Sequence, residues 1–120
     1  MSQAKKWLGV SPITAQSMQG DVNATVTAAG STLGGATDLT ATQNIVTTAT
    51  DGQGVQLDTG IVGDWQMVYN ATNVSIKVYP STSSAKINQI AAGGAHILAP
   101  FTSCQYFVAS ATQHVAFLSA

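Results

Sequence analysis

From Asn44 onward, short runs of alternating apolar and polar residues are separated by turn residues at the spacing of an all-β protein. Ile45-Val46-Thr47-Thr48-Ala49 runs into Asp51-Gly52-Gln53-Gly54, where glycine reaches positive φ without steric cost, and Val55-Gln56-Leu57 follows before Gly60 and Gly63. Trp65, Met67 and Tyr69 fall on one face of the next run, and Val74-Ser75-Ile76-Lys77-Val78-Tyr79 is the cleanest period-2 segment. With Asn70-Ala71-Thr72-Asn73 between them, these two runs predict a hairpin, which Pro80 ends because it lacks a backbone donor. Two further hairpins are expected. One joins Lys86–Ile90 to His96–Leu98 across Ala91–Ala95, and the other joins Cys104–Ala109 to His114–Leu118 across Ser110–Gln113. The predicted core contains Ile45, Val55, Leu57, Trp65, Met67, Val74, Ile76, Val78, Ile87, Ile97, Tyr106, Val108, Val115 and Phe117.

Before Asn44 the pattern changes. Residues 25–42 are rich in glycine and small side chains, which disfavours helix and predicts loop or irregular strand. Residues 1–24 show no sustained period and read as an extended arm, whose Lys5, Lys6, Trp7, Leu8, Val10 and Ile13 are the candidate partner-binding residues. Trp7 has two readings there, anchoring a partner or packing back on its own domain. The expectation is therefore all-β: an arm over 1–24, then a single antiparallel β-sandwich or barrel domain over 25–120.

Composition narrows the function. Only 8% of the 120 residues are charged, against roughly 25% in a typical soluble domain. The charges are five aspartates (Asp21, Asp38, Asp51, Asp58, Asp64) and four lysines (Lys5, Lys6, Lys77, Lys86), for a net charge of −1. Such a balance cannot neutralise a run of phosphates, so no nucleic-acid partner is expected. No basic amphipathic stretch or ~20-residue apolar run suggests a membrane partner. The first ten residues lack the long apolar stretch of a secretory signal, and the chain is expected to stay where it is made. A surface built from Thr, Ser, Ala and Asn, with so little charge, suits one that neighbours cover.

The candidate chemistry is thin. Four of the aspartates, Asp21, Asp51, Asp58 and Asp64, sit beside Gly or Thr in predicted turns, where the carboxylate commonly bonds nearby backbone. Cys104 with His96 or His114 would make a nucleophile and base for a small hydrolase, but all three fall in predicted strands, and a buried inert thiol is the preferred reading. No CxxC or HxxxH spacing marks a metal site, and the glycine clusters carry neither a phosphate loop nor a dinucleotide fingerprint. No cofactor or metal is expected. The sequons Asn23-Ala24-Thr25, Asn70-Ala71-Thr72 and Asn73-Val74-Ser75 are the chance product of an Asn-, Thr- and Ser-rich chain.

A resemblance sharpens this reading. Gly30–Thr40, Gly54-Val55-Gln56-Leu57, Val68–Thr72, Val74–Pro80, Ile87-Asn88 and Ala92–Ala95, in that order over about residues 30–118, resemble small virion proteins of tailed bacteriophages. The resemblance implies a capsid decoration, or cement, protein: a homotrimer on the capsid exterior, made in the host cytoplasm, that binds the major capsid protein and strengthens the shell. It carries over no catalytic residue, and the arm departs from the shared part. The alternative is a tail, baseplate or fibre-associated component whose exposed Trp65, Tyr69 or Tyr79 would stack on host glycan.

Overall fold

The computed structural model describes residues 21–118. The candidate arm residues Lys5, Lys6, Trp7, Leu8, Val10 and Ile13 lie outside the described residues. What is described is nearly all β: β1 (Val22–Thr27), β2 (Thr37–Asp38), β3 (Gln43–Thr48), β4 (Gly54–Gln56), β5 (Trp65–Asn70), β6 (Ile76–Tyr79), β7 (Lys86–Ile87), β8 (His96–Leu98), β9 (Ser103–Ser110) and β10 (Gln113–Leu118), with a 3-10 turn at Leu33–Gly35.

The strands form a six-stranded sheet, ordered β1-β3-β5-β9-β10-β7, and a four-stranded sheet, ordered β2-β4-β6-β8. The chain alternates between the two through β6, so that β1, β3 and β5 stack in parallel in one sheet while β2, β4 and β6 stack in parallel in the other. Three solenoid-like coils result. Strands β8 and β9 then add antiparallel to β6 and β5 and end the winding.

The all-β class is as expected, but the parallel, solenoid-like coils correct the expected antiparallel sandwich or barrel. The runs around 65–70 and 74–79 do not form a hairpin, because β5 and β6 belong to different sheets. Between them, Asn70 Oδ1 accepts from Thr72 N at 3.0 Å and Thr72 Oγ1 at 2.6 Å, an Asx turn that redirects the chain. Ala71 N then bonds Val46 O on the coil below, at 2.9 Å. Nor do β7 and β8 pair: β7 lies parallel to β10 in the larger sheet. The β9–β10 hairpin is as expected, with a register shift between Gln113 and His114. The stretch read as loop or irregular strand contains β2 and the end of β1, and β1 begins at Val22 within the stretch read as arm.

The core between the sheets holds Val46, Val55, Leu57, Val68, Ile76, Val78, Ile87, Leu98, Cys104 and Tyr106, with Val26, Ala28 and Leu39 from the first coil. Seven of the predicted core residues are buried: Val55, Leu57, Ile76, Val78, Ile87, Tyr106 and Val108. The other seven, Ile45, Trp65, Met67, Val74, Ile97, Val115 and Phe117, are half-buried or exposed. The face of β5 is reversed. Val68 and Asn70 point inward while Trp65 and Tyr69 point out, and on β3 Asn44 and Val46 point inward.

Interior amides accompany the reversal, their N–H groups bonded to backbone carbonyls, although Asn44 Oδ1 is buried without a hydrogen-bond partner. Asn70 Nδ2 donates to Val74 O at 2.8 Å and to Leu98 O and Ala99 O at 3.2 Å, joining the turn to the end of β8. Gln66 Nε2 donates to Leu39 O at 3.2 Å and Ala41 O at 2.9 Å, while its Oε1 accepts from Asp58 N at 2.8 Å. Asn44 Nδ2 reaches Ala41 O at 2.8 Å and Met67 O at 3.3 Å. These side chains bind both local backbone and, through Met67 O, Leu39 O, Ala41 O, Leu98 O and Ala99 O, backbone distant in sequence, which an apolar residue cannot do.

Candidate functional site

The outer face of the six-stranded sheet carries Trp65 and Phe117, both expected inside, together with Tyr69 and Phe107. Register places Trp65 beside Phe107, and Phe107 beside Val115. A second row runs Val22, Gln43, Met67, Gln105, Phe117, and a third runs Ile45, Tyr69, Ser103. Phe107 and Phe117 stack at 5.4 Å between ring centres. Lys86, opposite Gln113, stands at the β7 edge of this face. Strand spacing and rise give its five longer strands an area of roughly 500 Å², shared between the apolar side chains and the polar Gln43, Gln105 and Ser103.

One end of this face carries an apolar loop tip. Ile61 and Val62 are 76% and 68% exposed. They sit in the connection from β4 to β5, immediately before Trp65. The outer side of the four-stranded sheet differs. There the Tyr79 ring lies over Gly54, and its hydroxyl donates to Ser31 O at 2.9 Å. Tyr79 is 6% exposed, which corrects the expectation that it presents a ring to glycan; Trp65 and Tyr69 remain partly exposed, at 38% and 37%.

Beneath the loop opens a cleft of about 440 Å³ whose lining includes Thr40, Thr42, Asp58, Asp64, Gln66 and His114. Much of its polar capacity is already engaged. His114 Nε2 accepts from Ser81 N at 3.4 Å and contacts Ser81 Oγ at 3.1 Å, so the neutral ring carries its proton on Nδ1. Burial pushes the His114 pKa down. Asp64 Oδ2 accepts from Ile61 N at 3.1 Å, the turn-holding role expected of it. Asp21 acts similarly: bonds from the backbone N–H and hydroxyl of Thr42 reach its Oδ1, the backbone bond chief among the causes that hold this carboxyl below its ordinary pKa.

The proposed cysteine and histidine dyad is not assembled among the described residues. His96 Nδ1 meets Tyr106 OH at 2.9 Å, with the two rings edge-on, and His114 meets Ser81. Cys104 is buried, and burial raises its thiol pKa, which disfavours the nucleophilic thiolate. Burial likewise pushes the Tyr106 hydroxyl well up and His96 down. Among the described residues no three His, Cys or Asp side chains cluster as metal ligands, and no helix is long and apolar enough to cross a membrane.

No family model, curated protein or solved structure matches the chain. Its surface chemistry therefore has to be read from its own residues. The exposed aromatic face was present in the sequence as the Trp65, Met67, Tyr69 alternation, but alternation identifies two faces without saying which is inside. Ile61 and Val62 carried a signal too, two β-branched apolar residues between Gly60 and Gly63, that the strand pattern passed over.

Proposed function

We propose that this chain is a structural protein of a tailed-bacteriophage particle, a decoration protein that binds the outer face of the major capsid lattice and stabilises the head. The observation that carries this reading is the outer face of the six-stranded sheet, where Trp65, Met67, Tyr69, Phe107, Val115 and Phe117 form a surface interrupted by uncharged amides. Such a surface suits wide, shallow contact with other protein, where aromatic anchors contribute most of the energy. A repeating shell multiplies modest contacts, so high affinity at any single site is unnecessary. Self-association, as in the homotrimer that the resemblance implies, would also cover sheet edges and apolar faces that invite unplanned pairing.

The test is addition of purified chain to shells that lack it, reading occupancy by cosedimentation and shell stability by the temperature of disassembly. Saturable binding with a raised disassembly temperature is expected. Absence of binding would overturn the reading. The tail-associated alternative rests on the partly exposed rings of Trp65 and Tyr69, and specific hits on a glycan array would favour it instead.

A further inference from the structure

The loop tip Ile61-Val62 holds two large apolar side chains in solvent. Two reciprocal bonds close its turn: Asp64 N donates to Ile61 O at 3.0 Å, and Ile61 N donates to Asp64 Oδ2 at 3.1 Å. Gly63, at φ +97°, lets the chain reverse there, and its N–H donates to Val108 O at 2.9 Å while Val108 N donates to Asp64 O at 2.8 Å. Gly60 leaves room for the Asp64 carboxylate, since a Cβ at residue 60 would stand 2.8 Å from Oδ2. The tip is thus fastened to β9 at its base while holding two β-branched side chains in solvent.

β-Branched side chains are stiff at χ1, and a turn already bonded to a strand loses little freedom on docking. We infer that Ile61 and Val62 form a preformed apolar knob that seats in a hollow on a partner protein, with Asp58 and Asp64 beside it facing basic or amide donors on the hollow's rim. The two exposed aspartates near the knob favour a protein rim that carries basic side chains over an anionic lipid surface, which they would repel. Trp65 of the aromatic face opens β5 three residues after Val62. This inference rests on the shell-binding reading, with the capsid lattice as the partner.

The experiment compares the unaltered chain with the double variant Ile61→Thr/Val62→Thr, which keeps β-branching and hence the turn. Binding to undecorated shells is measured by cosedimentation, folding by the urea midpoint, and lipid contact by flotation with phosphatidylcholine vesicles. The expected result is at least fivefold weaker shell binding with an unchanged urea midpoint. Asp58→Asn, which leaves the knob intact, should reduce the loss of binding between low and high salt. A double variant that binds within fivefold of the unaltered chain overturns the knob alone, whereas an unaltered chain that ignores shells removes the functional reading and the knob with it. Vesicle binding that the double variant loses also overturns the proposal, in favour of insertion into lipid.

Discussion

On the outside of the four-stranded sheet, the first coil folds back as a cover: Ala29 and Gly54 exchange backbone hydrogen bonds at 3.0 and 3.1 Å, and Tyr79 reaches Ser31. Its outward positions also include the charged Asp38 and Lys77. On the outside of the six-stranded sheet, the rings of Trp65, Tyr69 and Phe117 are partly or largely exposed. Both faces belong to one small protein with one core, so general burial of apolar residues does not explain the difference. The four-stranded sheet's outer face is covered around Gly54 and Tyr79, and its one bare apolar side chain among the described strands is Ile97, 56% exposed beside Lys77. The six-stranded sheet's outer face is available for contact, and substitutions on the two should have separable effects.

The largest effect is expected on the covered face. In Gly54→Val, a Cβ would stand 2.8 Å from both Lys77 O and the Tyr79 ring. Relief requires moving backbone or lifting the tyrosine, so stability should fall by about 2–3 kcal/mol in urea denaturation. A loss below about 1 kcal/mol would show that the Tyr79 cover contributes little.

Phe117→Ser on the bare face should do the reverse. Phe117 is 59% exposed but stacks on Phe107, so truncation should cost at most about 1 kcal/mol of stability while weakening shell binding about tenfold, near 1.4 kcal/mol. If stability collapses and binding survives, the roles of the two faces are exchanged. Tyr79→Phe is a gentler probe. It removes the hydroxyl bonded to Ser31 O and keeps the ring over Gly54, for a cost of about 1 kcal/mol without change in shell binding.

The smallest expected effect comes from the interior, where His96 and His114 have lowered pKa values through burial. A base whose folded pKa is depressed takes up its proton more readily when unfolded. Stability should therefore be level above the ordinary histidine pKa, near about 6.5, and decline as the pH drops below it. Urea midpoints across pH 7.5 to 5 should follow that direction, and His114→Gln should flatten part of the slope. An increase in stability on acidification would contradict the buried neutral rings.

The β9–β10 hairpin was legible because its strands are neighbours in sequence and a short turn joins them; local alternation and turn residues suffice there. The parallel coils were not. Pairing of Gln43 with Met67, or of Val55 with Val78, joins residues over 20 positions apart, and no repeated motif marks the period. The candidate site was half legible: Trp65, Met67 and Tyr69 stood out as a stripe, but hydrophobicity placed Trp65 and Met67 in the core. Asn44 and Asn70 bear on that question, because each inward amide reaches, besides a local carbonyl, one that only the fold brings to it: Met67 O for Asn44, and Leu98 O and Ala99 O for Asn70.

What the sequence by itself determined is the β character, the positions of many turns, the scarcity of charge and the stripes of alternating residues, all properties of local chemistry. Tertiary structure alone decided which stripe faces the core, which strands become neighbours, and that Ile61 and Val62 stand outside. Those outcomes depend on satisfying backbone and amide groups across coils distant in sequence, and on there being room between two sheets for only one face of each strand.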